Sequence, residues 1–434
     1  MDPIYFVLLL LGMILVLFTG IPVAFGLGGV AIISTLFIWG PDGLMTIANS
    51  AFSNFTATTY IAIPMFLLMA NLLQKSGMAD DLYDMLYKWM GGLRGGLGMG
   101  TVFICTVFAA MSGGSGPATV TMGLIALPSM LKRGYDKHMA IGCIAAGGIL
   151  GIIIPPSIPM ILIAGFGQLS VGKLFIAGVF PGLVCAVLYM SYIGIRCGFN
   201  PELGPAIPEN ERVNFREKIK VTWALIGPLA LILIILGSIY SGAATPTEAA
   251  AVGAVGALII TALKKRLTKE VMRKALQRTL VLTAMILWIL IGAGAFNTIY
   301  NYMGAYDLIQ DLASNLPGGG WTVIIAMMVL NFFLGMLMDD YAIITLTAPL
   351  YMPLIIKLGF DPIWFSMVFM LNLQMAYLTP PFGFNLFYLK SIVPKDIGLT
   401  TIYRAVIPFV LLQIIGLICV MVFPALATYL PSKM

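Results

Sequence analysis

The chain has 434 residues, of which 60% are hydrophobic and only 10% charged, where an ordinary soluble domain carries about 25% charged residues; this excludes a water-soluble globule. The net charge of +6 does not point to nucleic acid, because membrane proteins gather Lys and Arg in their cytoplasmic loops. The five cysteines are scattered without a CxxC pair and the sole histidine is His138, so the sequence supports neither a disulfide framework nor a transition-metal site, and it implies no organic cofactor.

A bilayer-crossing helix needs about 20 apolar residues, and runs of that order recur along the whole chain, which therefore reads as an all-α polytopic membrane protein. The first run, 4–20, has no basic leader and no small-residue cleavage site before the Gly20-Ile21-Pro22 break, and is read as a retained span. Further spans are placed at 22–39 and 50–74. The stretch from Asp80 to Met90 mixes Tyr83, Tyr87 and Trp89 with charged residues and suits a helix in the headgroup region. At 97–132 an apolar run is broken at mid-length by small and polar residues, the pattern of a re-entrant hairpin. The next span, 136–168, is broken at Pro155-Pro156, and 172–196 closes the first half. A cytoplasmic linker, 199–220, leads to spans at 221–240, 246–263 and 275–300, a second amphipathic helix at 305–312, a second hairpin at 320–358, a second broken helix at 361–392 and a last span at 400–428. Asp136 and Asp361 read as helix N-caps, and Thr245-Pro246-Thr247-Glu248 as a capping box with proline at the first helical position. The segment from Gly167 to Lys173 fits the first seven places of a P-loop, but Leu174 stands where a Ser or Thr must hold magnesium, so no ATP site is supported.

The order of these elements repeats. Residues 127–136, LPSMLKRGYD, fall on residues 352–361, MPLIIKLGFD, and the same offset of 225 carries Pro155-Pro156 onto Pro380-Pro381. With one extra residue, Asn71 falls on Asn297 and Ala79, Asp81 and Leu82 on Ala305, Asp307 and Leu308. Residues 1–198 and 221–434 are therefore read as homologous halves of about five spans each, and an odd number inverts the second half relative to the first. If the basic loop after 263 is cytoplasmic, alternation puts 21 of the 24 basic residues inside, leaving only Lys173, Lys357 and Lys433 outside with both termini.

Hairpin one turns at Ser112, Gly113, Gly114, Ser115, Gly116, Pro117, Ala118 and Thr119. Glycines and proline interrupt the helix there, freeing backbone groups that must find partners inside the membrane. With the hydroxyls of Ser112, Ser115 and Thr119 they form an all-oxygen surrounding for a hard cation such as Na⁺, and the outgoing half-helix favours an anion at its N-terminus; a self-satisfied tight turn is the plainer alternative. The broken helices add Gly151, Pro155, Pro156 and Ser157 in the first half, and Asn372, Gln374, Thr379, Pro380, Pro381, Gly383 and Asn385 in the second. Hairpin two turns at Asp339-Asp340-Tyr341; one of the two carboxylates is expected as an ion ligand, with simple helix capping weighing more on Asp340. No Lys or Arg is expected deep in a span, so bound cations would offset a substrate's charge. No nucleophile, base or metal constellation marks an enzyme.

The stretches AAMSGGSGPATVTMG, LKRGYDKHMAIGCIAAGGILGIIIPPSIPMILIA, ATPTEAAAVGAVGAL and NLQMAYLTPPFGFNLFYL resemble the large membrane subunit of tripartite ATP-independent periplasmic (TRAP) transporters over nearly the whole chain. The resemblance implies a sodium-coupled importer of organic acids in the bacterial inner membrane, moving a transport domain past a scaffold like an elevator. It also implies two partners, a small membrane subunit of the Q type and a soluble periplasmic substrate-binding protein of the P type, with no ATP and no nucleic acid. The hairpin tips and the two Pro-Pro breaks match the family's sodium and substrate region. A glycine-rich first turn and a double acid in the second depart from its usual pattern and imply acids other than the sialic acid and succinate types. The competing reading is the membrane permease of an ATP-driven importer with a separate ATPase.

Overall fold

The computed structural model describes residues 9, 11–13, 15–16, 19–304 and 317–434. Most of the span expected at 4–20 and the whole amphipathic helix expected at 305–312 lie outside the described residues. The described regular elements are all helical. In chain order they are α1 (Val23–Trp39), α2 (Gly43–Thr56), α3 (Ala62–Lys75), α4 (Met78–Met90), α5 (Gly96–Ser112), α6 (Ser115–Lys132), α7 (Lys137–Ile149), α8 (Ile158–Gly167) and α9 (Val171–Phe199). They continue with α10 (Phe215–Tyr240), α11 (Pro246–Leu263), α12 (Lys269–Tyr302), α13 (Gly320–Leu337), α14 (Asp340–Lys357), α15 (Pro362–Leu378), α16 (Phe384–Lys390) and α17 (Leu399–Val422). Among the described residues, six helices are long and apolar enough to cross a bilayer: α9 to α13 and α17.

Several boundaries follow from local chemistry visible in the sequence. Asp136 caps α7 by accepting from Met139 N at 2.9 Å, and Asp361 caps α15 by accepting from Ile363 N at 2.7 Å and Trp364 N at 3.0 Å. The capping box of α11 is reciprocal, with Glu248 N donating to Thr245 Oγ1 at 3.3 Å and Thr245 N donating to Glu248 Oε2 at 2.8 Å. The expected single span 50–74 is different. It is two helices, α2 and α3, bent by 49°. Thr56 turns its hydroxyl back onto Phe52 O at 2.9 Å, Ala57 is extended, and the β-branched run Thr56, Thr58, Thr59 disfavours a continuous helix. Helix α12, by contrast, runs unbroken for 34 residues. Helix α10 begins at Phe215, ahead of the expected 221.

The helices form two packed groups. Helices α1, α2 and α3 lie on α12, with α11 on α3 and α10 on α11. In the other group α5, α6 and α17 surround α7, α8 lies on α14, and α13 and α17 lie on α15. Helix α7 is built of small residues and is buried from Met139 to Ile149, the composition that lets helices approach closely. The most apolar window of α10 is only 17% buried, so this helix presents its side chains outward, as a lipid-facing helix does. Helix α4 bridges the groups: it packs on α5 and α10, while Asp81 pairs with Lys264 at 2.5 Å and Arg266 at 3.6 Å. Arg266 also donates to Ser76 O at 2.7 Å, fastening the start of α4 to the loop before α12.

Candidate functional site

The first hairpin tip is a two-glycine turn. Helix α5 ends at Ser112, Gly113 takes a left-handed φ of 65° that favours glycine, Gly114 is extended, and α6 begins at Ser115. Ser112 Oγ donates to Gly114 O at 3.1 Å, and Gly113 O accepts from Ile158 N, the first residue of α8, at 3.1 Å. The tip rests on the first broken helix. A Cβ on Gly151 would stand 2.5 Å from Gly114 O, so only glycine fits there. Between α7 and α8 lie Pro155-Pro156, joined by a cis bond, and Ser157, whose hydroxyl donates to Ile152 O at 2.5 Å.

The second tip is a two-residue break. Met338 and Asp339 are extended and α14 begins at Asp340. Asp339, rather than the more favoured Asp340, is the cap: its Oδ1 accepts from Ala342 N at 2.8 Å. Asp340 is buried and accepts from Tyr341 N at 3.1 Å. The extended backbone at Met338 starts the break one residue earlier than the Asp-Asp pair alone suggests. Pro380-Pro381 is also cis and parts α15 from α16. The two tips approach each other, since the Tyr341 hydroxyl lies 3.5 Å from where a Cβ on Gly114 would stand.

Between the tips lies a cavity of about 240 Å³. Ser112, Gly114, Ser115 and Gly116 from hairpin one line it, together with Asp339, Asp340 and Tyr341 from hairpin two. Tyr377, also on the wall, places its buried hydroxyl beside Asp340 with no partner at hydrogen-bond geometry. Hydroxyl and carboxylate oxygens of this kind suit a hard cation. A larger hollow of about 600 Å³, between Leu9 and Ile38, is lined by apolar residues and Ser34 and offers no such chemistry.

The structure does not bring the remaining expected residues to this wall: Gly113, Thr119, Gly151, Pro155, Pro156, Ser157, Asn372, Gln374, Thr379, Pro380, Pro381, Gly383 and Asn385 stand behind or beside it. Many are engaged in ties. Thr119 donates to Asn385 Oδ1 at 2.6 Å, and Asn385 Nδ2 donates to Ala145 O at 2.9 Å, locking hairpin one to both broken helices. Gln374 Nε2 donates to Ile149 O at 2.9 Å, and its Oε1 accepts from Gln413 Nε2 at 2.8 Å; Gln413 Oε1 in turn accepts from the Tyr189 hydroxyl. Asn372 Oδ1 accepts from Asn331 Nδ2 at 3.3 Å, and Thr379 donates to Met375 O at 2.7 Å.

Of the wall residues absent from the sequence-based set, Arg278 is the charged one. Arg278 lines the cavity with Leu282 and Met285, all on one face of α12. The expectation of no basic residue inside the spans counted Arg278 with the basic loop after 263. The signal was its separation from that cluster: α12 already begins at Lys269, capped by Thr268, so Arg278 sits more than two turns into the helix.

The family described as "Tripartite ATP-independent periplasmic transporter, DctM component" matches residues 10–426. The chain belongs to that family. The C4-dicarboxylate TRAP transporter large permease protein DctM of Pseudomonas aeruginosa is 35% identical to it over 400 residues, covering 92% of each chain. The isethionate TRAP transporter permease protein DctMQ of Oleidesulfovibrio alaskensis is 30% identical, covering 96% of this chain and 64% of that longer protein. The ectoine TRAP transporter large permease protein TeaC of Halomonas elongata is 28% identical over 96% of this chain and 97% of its own. Among solved structures, the YdaH transporter of Alcanivorax borkumensis shares the fold at a TM-score of 0.63, covering 98% of this chain and 99% of that one at 14% identity. This TRAP large permease is thus a membrane transport subunit, and the relatives named here carry transporter rather than enzyme names.

Proposed function

We propose that this TRAP permease couples sodium entry to the import of a small organic acid across the bacterial inner membrane. The observation that carries the reading is the cavity between the two hairpin tips, where Ser112 and Ser115 face Asp339 and Asp340. Ionisable residues within membrane helices face such cavities and mark ion and substrate paths, and helices broken at matching places in two halves are the usual sign of a transporter's site. Sodium binds on the oxygen-rich side, and the acid completes the cavity. A periplasmic binding protein delivers the acid and a Q-type small membrane subunit braces the permease; the relative named DctMQ, longer than this chain, supports the second partner.

The halves 1–198 and 221–434 are inverted repeats, with the basic face cytoplasmic and both termini periplasmic. The helices of the hairpin group move as a transport block against α1–α3 and α10–α12, with α4 as the connecting arm. Its ties to both groups, through Asp81–Lys264 and its packing on α5, support that role. The test is uptake into vesicles holding the permease, its small subunit and the binding protein. A sodium gradient drives uptake, and Ser115→Ala combined with Asp340→Ala abolishes it; full uptake without sodium overturns the coupling.

A further inference from the structure

Arg278 stands on the wall of the cavity formed by α12 and α3, opposite the hairpin tips. Leu67 of α3 and Leu282 and Met285 of α12 complete that wall. The turn of α12 that carries Arg278 is held in place by its neighbour, since Thr279 Oγ1 accepts from Asn71 Nδ2 of α3 at 3.1 Å. Among the described residues, Arg278 has no carboxylate within ion-pair distance, although Asp339 and Asp340 line the same cavity. The cavity is therefore divided by charge, with a free guanidinium on one wall and two carboxylates with serine hydroxyls on the other. An anionic ligand placed against the hairpin tips alone would meet like charge. Placed against Arg278, it meets a planar fork of donors that matches a carboxylate or sulfonate through two parallel hydrogen bonds.

We infer that Arg278 takes the acid group of the substrate, and that the substrate is a small acid whose other end reaches the tips and the cations bound there. The inference rests on the reading of the cavity as the transport site. The cavity, of about 240 Å³, has room for a short-chain carboxylate, sulfonate or compact zwitterion.

The experiment is thermal unfolding of the purified permease with its small membrane subunit, titrated separately with succinate, isethionate, ectoine and sialic acid, in sodium and in potassium. Ligands that bind only the folded form raise the midpoint with concentration. At least one of the three small compounds should stabilise the complex in sodium. Arg278→Gln should raise its half-saturating concentration about 10- to 100-fold, as expected for loss of a charge-assisted bidentate contact. Arg278→Lys, which keeps the charge without the fork, should fall between. The stabilisation by sodium alone should be unchanged in both variants, which a merely structural role for Arg278 would not predict. Unchanged half-saturation in Arg278→Gln, with binding lost in Ser115→Ala/Asp340→Ala, overturns the assignment of Arg278 while leaving the cavity as the site. Unchanged binding in both sets of variants overturns the reading of the cavity itself. Stabilisation by sialic acid alone, or by none of the four, overturns the substrate class.

Discussion

Gly151 and Gly114 meet with backbone against backbone, and this contact sets where the first hairpin tip lies. A methyl group on Gly151 would stand 2.5 Å from the Gly114 carbonyl oxygen, a clash that only movement of the tip can relieve. Gly151→Ala should therefore destabilise the permease by about 1–3 kcal/mol, lowering the unfolding midpoint in detergent, and should weaken sodium-dependent uptake. An unchanged midpoint and uptake would mean the tip is free to shift. The density of glycines at residues 113–116 made this turn legible in the sequence, because few other roles explain such a run inside a span. The face presented by a single residue was less legible. Arg278 lies at the start of the expected span 275–300, where it was counted with the basic loop, and the helix start at Lys269 places it more than two turns into α12. Likewise the cap of α14 is Asp339 and not Asp340, a difference of one residue set by the extended backbone at Met338.

At the scale of elements, the broken helices are joined by buried amides. Gln374 and Ile149 stand 225 residues apart, the offset that relates the two Pro-Pro breaks, and they hydrogen-bond to each other at 2.9 Å. Gln413, in the middle of the apolar run of α17, extends this tie to Tyr189 of α9. Replacing Gln374 with Leu removes the side-chain donor to the Ile149 carbonyl and leaves part of the Gln413 amide buried without a partner, a loss of about 1–3 kcal/mol. The expected result is a lower unfolding midpoint with an unchanged half-saturating sodium concentration; a shift in the sodium dependence instead would give Gln374 a direct part in ion binding. The Pro-Pro breaks and the capping residues at Asp136, Thr245 and Asp361 were legible because each is a local rule. The 49° bend between α2 and α3 was not, since the apolar run continues across it and the threonines that cause it are also common inside membrane helices.

For the whole molecule, the proposed orientation sets the basic loops on the cytoplasmic side. Lys137 pairs with Asp396 at 3.1 Å, and Asp136 N donates to Leu203 O at 3.2 Å, so the ends of segments far apart in sequence gather at one end of the bundle. With that end cytoplasmic, single cysteines in place of Lys173 and Lys357 should react with a membrane-impermeant maleimide added outside intact cells, and one in place of Lys137 only after permeabilisation. The reverse pattern would invert the topology. Equilibrium binding of radioactive sodium to the purified permease tests whether the hairpin tips together form a sodium site. Binding should be saturable and should be lost when Ser115→Ala and Asp340→Ala are combined in a chain that remains folded; undiminished binding by that folded variant would rule out a sodium site at the tips.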